Sequence, residues 1–397
     1  MTPRLSLLLT AVLALASTPA MAQSSGGTDD FSLTPTAYLQ LDWRGYPDWN
    51  IAPGTGRLTR ETWEVRRLRA GVDGTWKRAT FEFSVDPTDD DGVVVKDAFL
   101  RLRFGRAFNL QAGQFKLPGA SGYGSSARRI GFLERSALSM SLAARRDTGM
   151  QADGRLGAFQ YAGGVFAGDN VGNEARSGVT AAGRLQWRVV RDLTVGTFGS
   201  VGRTSAVESD PANGYDARST TGYRFAQAVY VQGIRARVGA SAEWTPGSWR
   251  LEAEGLRLRD TRHEQGVDLD DLPAAIGTGL TASIRREFGR NASSRGWTAF
   301  RWLAPSELGA RYDRLRVDDA ATGTDATGTD SVRPRAANIR ARGYHGLTLG
   351  STWRLHAHAR VLGNLGLETY SDARSAPQPG GTGGYLTAGA RLQLEWR

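Results

Sequence analysis

Cysteine is missing from all 397 residues, so neither a disulfide nor a thiolate-bound metal can hold this chain together. Histidine is scarce, with four copies. His356 and His358 share strand parity across a turn but have no third ligand near them, and a protein metal centre needs three or four. There is no glycine-rich phosphate loop and no Gly-x-Ser-x-Gly elbow, which leaves no nucleotide site or hydrolase nucleophile to argue from. The acidic run Asp86, Asp89, Asp90 and Asp91 reads as a solvated loop rather than a calcium site. These absences predict no enzyme, no cofactor and no bound metal. Lysine is rare as well. Of 50 basic residues only Lys77, Lys96 and Lys116 are lysines, so arginine carries the net charge of +10.

Long apolar runs are also lacking. Past the N-terminus no segment approaches the roughly 20 apolar residues of a membrane-spanning helix. The N-terminus itself has Arg4, a mostly apolar stretch from Leu5 to Ala16, and the small-x-small sequence Ala20-Met21-Ala22 before Gln23. That stretch is too short to span a bilayer, and the pattern predicts an export signal over residues 1–22, cleaved after Ala22. Residues 23–32 follow as a short polar linker and 33–397 as a single domain.

What the domain has in abundance is two-residue alternation, with 50 glycines, 11 tryptophans and 11 tyrosines. Near the C-terminus Leu386, Ala388, Ala390, Leu392, Leu394 and Trp396 share one parity, opposite Thr387, Gly389, Arg391, Gln393 and Glu395. Ile234, Ala236, Val238, Ala240, Ala242 and Trp244 stand opposite Arg235, Arg237, Gly239, Ser241 and Glu243 in the same way. A membrane barrel strand shows one face to lipid and one to the lumen over about 10 residues, and aromatic girdles mark its ends. Trp244, Trp249, Trp353, Tyr370 and Trp396 fall where such girdles belong. The predicted fold is an all-β transmembrane antiparallel β-barrel of sixteen strands. They cover 33–44, 60–72, 76–86, 94–104, 108–117, 148–154, 158–167, 178–189, 193–203, 233–244, 249–260, 296–304, 307–317, 345–355, 359–370 and 384–396. Tight periplasmic turns are expected at Asp73-Gly74-Thr75, Gly105-Arg106-Ala107, Arg191-Asp192, Thr245-Pro246-Gly247, Ala304-Pro305-Ser306 and Ala357, with long external loops between them. Segments 222–232 and 279–290 read as strand extensions or loop hairpins outside the membrane; counted as spanning strands, they give eighteen.

The 118–147 region is too long for an ordinary connection, which suggests a loop folded into the lumen as a constriction. It carries Arg145 and Arg146 beside Asp147 and, on the expected anion path, Arg128, Arg129 and Arg135, with Glu134 and Arg135 read as an ion pair that anchors it. On the strands, parity sends Arg67, Arg69, Arg101, Arg103, Arg235 and Arg237 to the lumen, while Arg66 breaks parity and is placed at the rim. These ten arginines are the predicted pore-lining path. Guanidinium groups fixed in a water-filled tube with low-dielectric walls concentrate anions, and their planar fork suits oxyanions.

Several of these segments resemble one known family. Val65-Arg66-Arg67-Leu68-Arg69-Ala70-Gly71, Lys96-Asp97-Ala98-Phe99, Gly113-Gln114-Phe115-Lys116-Leu117-Pro118, Ser125-Ser126 and Phe132-Leu133-Glu134-Arg135-Ser136 are similar to motifs of the phosphate-selective porin O and P family. Arg146-Asp147-Thr148-Gly149 echoes the sequence that restarts its barrel, and weaker likeness continues along most of 33–397. Where the family has Gly-Leu-Glu after the proline, this chain has Gly119-Ala120-Ser121. The resemblance implies a bacterial outer-membrane porin, a homotrimer set in outer-membrane lipid. It would pass small inorganic anions and favour phosphate or polyphosphate, with no nucleic-acid partner. A weakly selective general porin and, from a different class, a barrel enzyme or surface-interaction protein are the alternatives.

Overall fold

The computed structural model describes residues 31–46, 61–89, 92–168, 178–204, 214–215, 217–226, 229–265, 268–288, 305–319, 339–371 and 384–396. The segment expected to be an export signal and nearly all of the expected linker lie outside them. Eighteen strands occur among the described residues. In chain order they are β1 (Phe31–Gly45), β2 (Glu61–Trp76), β3 (Ala79–Asp89), β4 (Gly92–Arg103), β5 (Asn109–Lys116), β6 (Arg146–Leu156), β7 (Phe159–Ala167), β8 (Val179–Val190) and β9 (Leu193–Thr204). There follow β10 (Ala217–Arg218), β11 (Arg224–Ala226), β12 (Gly233–Trp244), β13 (Trp249–Arg262), β14 (Leu272–Glu287), β15 (Glu307–Asp319), β16 (Arg340–His356), β17 (Ala359–Tyr370) and β18 (Gly384–Trp396). All but β10 and β11 form one closed antiparallel barrel of sixteen strands, shut where β1 pairs with β18 from Ala37 opposite Trp396 to Gly45 opposite Ala388. Closure leaves no strand edge, and every wall backbone group can pair within the sheet, as hydrocarbon demands.

The alternation seen in the sequence becomes the two faces of this wall. Leu100, Met150, Val165, Leu185, Trp187, Val201, Ile234, Val238, Leu280, Leu347, Leu349, Leu365 and Leu386 all stand exposed on the outside. A continuous apolar outer belt is unfavourable in water and stable in a bilayer.

Three expectations about the strands need correction. The twelfth barrel strand is β14, not 296–304; it pairs with β13 along its length and with β15 from Gly277 to Glu287, and 296–304 lies outside the described residues. The connection at Ala304-Pro305-Ser306 is therefore part of a long segment between Glu287 and Glu307. The first hairpin turns at Lys77-Arg78, because β2 stays paired with β3 through Asp73, Gly74 and Thr75 to Trp76. The eighteen-strand count also fails, since residues 217–226 form only a two-stranded sheet of their own.

Two segments on the long-loop side enter the barrel. Between β5 and β6 the chain forms the short helices α1 (Ser121–Gly124) and α2 (Ala137–Ser141), the second capped by Ser136 Oγ accepting from Ser139 N at 3.2 Å. The second segment, around β10 and β11, lies against α2: Ser141 Oγ donates to Arg218 O and accepts from Arg218 N. Together they build an apolar core inside the barrel, with Leu138, Leu142, Tyr215, Phe225 and Val231 packed on the inward residues Leu256, Leu258, Leu315, Val317 and Tyr344 of β13, β15 and β16. The β13–β16 side of the lumen is thus filled, and the cavity that remains lies against β1–β6.

Candidate functional site

The passage contains a cavity of about 360 Å³ bounded by the β1–β6 wall and by the loop after β5. Four cations line it, Arg69, Lys116, Arg128 and Arg146, along with three carboxylates, Asp73, Glu82 and Asp97. Strand register orders these groups along the axis. Asp73 and Glu82 face each other near the β2–β3 turn, whereas Arg69 lies four residues further from that turn.

The loop is held from nearly every side. Glu254 of β13 accepts from Ser121 N and Gly122 N; Arg184 of β8 donates to Ser121 Oγ at 2.6 Å; Arg237 Nε donates to Leu142 O at 2.9 Å. On the opposite wall Gln40 and Gln393 donate to the carbonyls of Ala127 and Arg128 at 3.3 and 3.2 Å, and Arg391 to that of Leu133. At the centre of the loop is Glu134, whose carboxylate meets Arg44 and Arg66 at 2.7 Å, Arg67 at 3.1 Å and Arg391 at 3.2 Å. Burial alone would push this carboxyl up. The guanidiniums of Arg66, Arg67, Arg44 and Arg391 outweigh burial and hold it well below the usual carboxylate range.

Glu134 anchors the loop, but its partner is not Arg135. That side chain donates instead to the carbonyls of Gly122 at 2.6 Å and Ser125 at 2.7 Å, with its guanidinium over the Tyr123 ring. Burial pulls it down to about 10. Lys116 reaches the same turn, donating to Gly124 O at 3.1 Å and Ser125 O at 2.8 Å. Both cations close the C-terminal end of α1 through neutral carbonyls, so no carboxylate in these contacts cancels their charge.

The predicted arginines divide by partner. Arg66 is not at the rim: β2 slips register between Val65 and Arg67 opposite β1, and this bulge turns both Arg66 and Arg67 to Glu134. Arg69 lines the cavity and shares its charge with Asp86 at 3.1 Å. Arg128 lines it with no ion pair among the described residues, and Arg129 is exposed beside it. Arg101 is forked onto Asp153 with two contacts of 2.6 Å, while Arg103 is exposed at the turn end. Arg235 and Arg237 face inward but away from the passage. Arg235 is 2% exposed and forked onto Asp260 at 2.7 and 2.9 Å, and Arg237 is spent on the loop.

Sequence reasoning missed several groups. Lys116 was visible only inside a motif; Arg146, expected in the constriction region, opens β6 and is forked onto Asp97 at 3.0 and 2.9 Å, which joins the restart of the barrel to the Lys-Asp-Ala segment. Gly113, which opens the motif ending in Lys116-Leu117-Pro118, stands at a φ of 126°, and a Cβ there would overlap the Ala98 carbonyl, so only glycine lets β5 lie this close to β4. Arg155, Arg188, Arg250 and Arg354 are exposed at the turn end with inward parity, and with Arg103 they ring that mouth.

A closed sixteen-strand barrel with an apolar outer belt, short turns at one end and a loop folded across the lumen defines an outer-membrane porin. A family model for phosphate-selective porin O and P matches residues 39–275. The chain belongs to that family and to the bacterial outer membrane. Curated protein sequences offer no significant match. Among solved structures it is similar to a loop L8 deletion mutant of OmpT, an outer membrane protein of Vibrio cholerae, at a TM-score of 0.59 and 13% identity over 92% of this chain and 99% of that one. It is also similar to an anion-selective porin from Comamonas acidovorans, at 0.55 and 12% over 92% and 100%. The outer membrane channel DcaP of Acinetobacter baumannii gives 0.54 and 10% over 92% and 97%. Identities this low speak for the fold alone.

Proposed function

We propose that the chain lets small anions diffuse passively across the outer membrane and favours phosphate or polyphosphate. The observation that carries this reading is the charge left over in the passage. Among the described residues Arg128 has no ion pair, Lys116 holds neutral carbonyls as does Arg135 behind the cavity, and Arg69 shares one carboxylate. A narrow, partly desolvated tube amplifies such unpaired charge. Arg66 and Arg67 contribute less, since Glu134 neutralises part of their field. At the turn end Arg250 and Arg354 meet Glu243 at 3.8 Å and Glu287 at 3.3 Å, so among the described residues it is Arg103, Arg155 and Arg188 that extend the favourable potential to the periplasmic mouth. The family and the trimer form of OmpT support a homotrimer for this chain. Residues 1–22 are assigned to export, and a channel rather than an enzyme is the reading for the whole.

The test is the zero-current potential of single channels in a KCl gradient, followed by titration with inorganic phosphate. An anion preference that falls when Arg128 and Arg129 are both replaced by Gln supports the reading, as does block of chloride current by phosphate. An unchanged potential in that double variant removes these two arginines from the path. Asp73, Glu82 and Asp97 favour a second reading, a weakly selective general porin, because they line the same cavity; cation and anion permeabilities close to one another in the unmodified protein would establish it. A protein that forms no channels would revive the barrel-enzyme alternative.

A further inference from the structure

Charge on the outer wall gathers in one sector. Arg257 and Arg259 of β13 alternate with the inward Leu256 and Leu258, and Arg314 and Arg316 of β15 with the inward Leu315 and Val317, so all four point out of the barrel and all four are exposed. None makes an ion pair among the described residues. Asp318 is the one described carboxylate of outward parity on β12–β16, and its Oδ2 already accepts from Ile276 N at 2.9 Å. Four cations thus stand against one carboxylate on a surface that faces the membrane.

Strand pairing sets them side by side. Arg257 is opposite Thr278 of β14, which is opposite Arg316 of β15, two strand spacings or about 10 Å away. Rows of paired residues climb from β13 to β16: Trp249, Arg286, Leu308 and Ser351 share one row, yet β16 runs on below it to His356. That climb offsets the step down from Arg316 to Arg314, so the four arginines form one band around the wall. Trp249, with Arg286 over its ring at 5.1 Å, marks the turn-end girdle. Arg257 lies eight residues further along β13, a rise of about 20 Å on a strand tilted about 40°. The apolar belt of such a barrel is about 25 Å tall, which puts the band at its external edge, where long arginine stems can lift their heads to the headgroups. Directly below, the outward residues Leu280, Ala282 and Ile284 of β14 are apolar and exposed. The outward faces of β1, β17 and β18, by contrast, carry no charged side chain. Another subunit packs most readily on that uncharged wall, which leaves lipid facing the arginines.

We propose that this band binds the phosphorylated disaccharide headgroup of the glycolipid that forms the outer leaflet of a bacterial outer membrane, with acyl chains running down over Leu280 and Ala282. The chemistry is complementary at both ends. Each guanidinium offers a planar fork to two phosphate oxygens, and arginines about 10 Å apart can hold separate phosphates of one headgroup. The site is distinct from the anion passage, since the inner faces of β13 and β15 are covered by the apolar core that fills the lumen there.

The mature protein, stripped of bound glycolipid in detergent, is titrated with purified lipid A in its bis-phosphorylated and its dephosphorylated form, and occupancy is read by native mass spectrometry. The phosphorylated form should bind the more tightly. Arg257→Gln with Arg316→Gln should raise its half-saturating concentration at least about tenfold. Arg106→Gln with Arg191→Gln removes the same charge from exposed periplasmic turns and should bind as the unmodified protein does. Equal binding of the two lipid forms to the unmodified protein overturns the proposal before any variant is made. So does an Arg257/Arg316 double variant that keeps full affinity for the phosphorylated form. If that variant instead falls apart into smaller oligomers, the band is a contact between subunits and the glycolipid site is refuted.

Discussion

Replacing Glu134 with Gln changes one atom and should move two properties in opposite directions. The carboxylate is the common partner of Arg44, Arg66, Arg67 and Arg391, at 2.7 to 3.2 Å, and is 4% exposed. Breaking a buried ion pair from one side typically costs about 3–5 kcal/mol, because the remaining charge is stranded. Here Asp42 still serves Arg391 at 2.6 and 2.7 Å and Arg44 at 2.9 Å, so a loss of about 2–3 kcal/mol is the better expectation. The backbone anchors at Leu133 and Glu134 survive, since they are carbonyls accepting from Arg391 and Arg311. The loop therefore stays in the lumen while the net charge beside the passage rises by one. A unit charge about 10 Å from a permeating ion is worth about 0.4 kcal/mol at the dielectric of water and about 1.7 kcal/mol at an effective value of 20. That range corresponds to a rise in anion occupancy of at least about twofold, read best near 0.1 M salt where screening is limited. Thermal unfolding in detergent should show the destabilisation, and the zero-current potential should show stronger anion preference. A variant that loses stability and also loses anion preference would refute the assignment of Glu134 as the group that quenches Arg66 and Arg67.

The same carboxylate makes a pH prediction. Its folded value lies below the ordinary one, so its stabilisation is complete above the unfolded value of about 4.3 and fades only as pH falls through the lower folded value. The gap in melting temperature between the unmodified protein and Glu134→Gln should hold from pH 7 to about 4.3 and shrink only below; a gap that closes by pH 6 contradicts it. Arg235→Ala strands Asp260, which is fully buried, and should cost about 3–5 kcal/mol in thermal unfolding. Its zero-current potential should match that of the unmodified channel, and a large shift would return Arg235 to the passage. Gly113→Ala forces a Cβ into the β4 backbone at a φ of 126° and should cost more than about 3 kcal/mol, seen as loss of the heat-resistant folded band on gels.

The outer wall was readable from sequence because lipid imposes one rule on every strand. The lumen imposes no such rule, and β14 shows the consequence. Its inward residues Ala275, Gly277 and Gly279 are small because α2 and the chain after it press against them: a Cβ at Gly277 would lie 2.7 Å from Leu142 Cδ2, and one at Gly279 3.0 Å from Leu138 Cγ. Polar-in alternation therefore vanished where the inner face met protein instead of water, and the aromatic stretch 296–304 looked like the better strand. Arg66 failed for a different reason. A one-residue bulge restores its inward direction, and parity counted along the chain has no means of registering an inserted residue.

Arginine content alone could not identify the anion path, and the pairing pattern explains why. A charge in the lumen acts on a passing ion only to the extent that the protein leaves it uncompensated, and compensation is set across the barrel. Arg235 meets Asp260 from the next strand, Arg101 meets Asp153 two strands away, and Glu134 comes from a loop to meet residues of β1, β2 and β18. None of these partners is near in sequence. Most of the inward arginines hold the wall and the loop in place, and that rigidity is what lets a few others remain unpaired at fixed positions. Arg128 keeps its charge because its own backbone, through a carbonyl that accepts from Gln393, does the anchoring. Adding arginines at random to such a lumen would recruit carboxylates or disorder the loop; selectivity requires cations whose structural work is done by neutral groups.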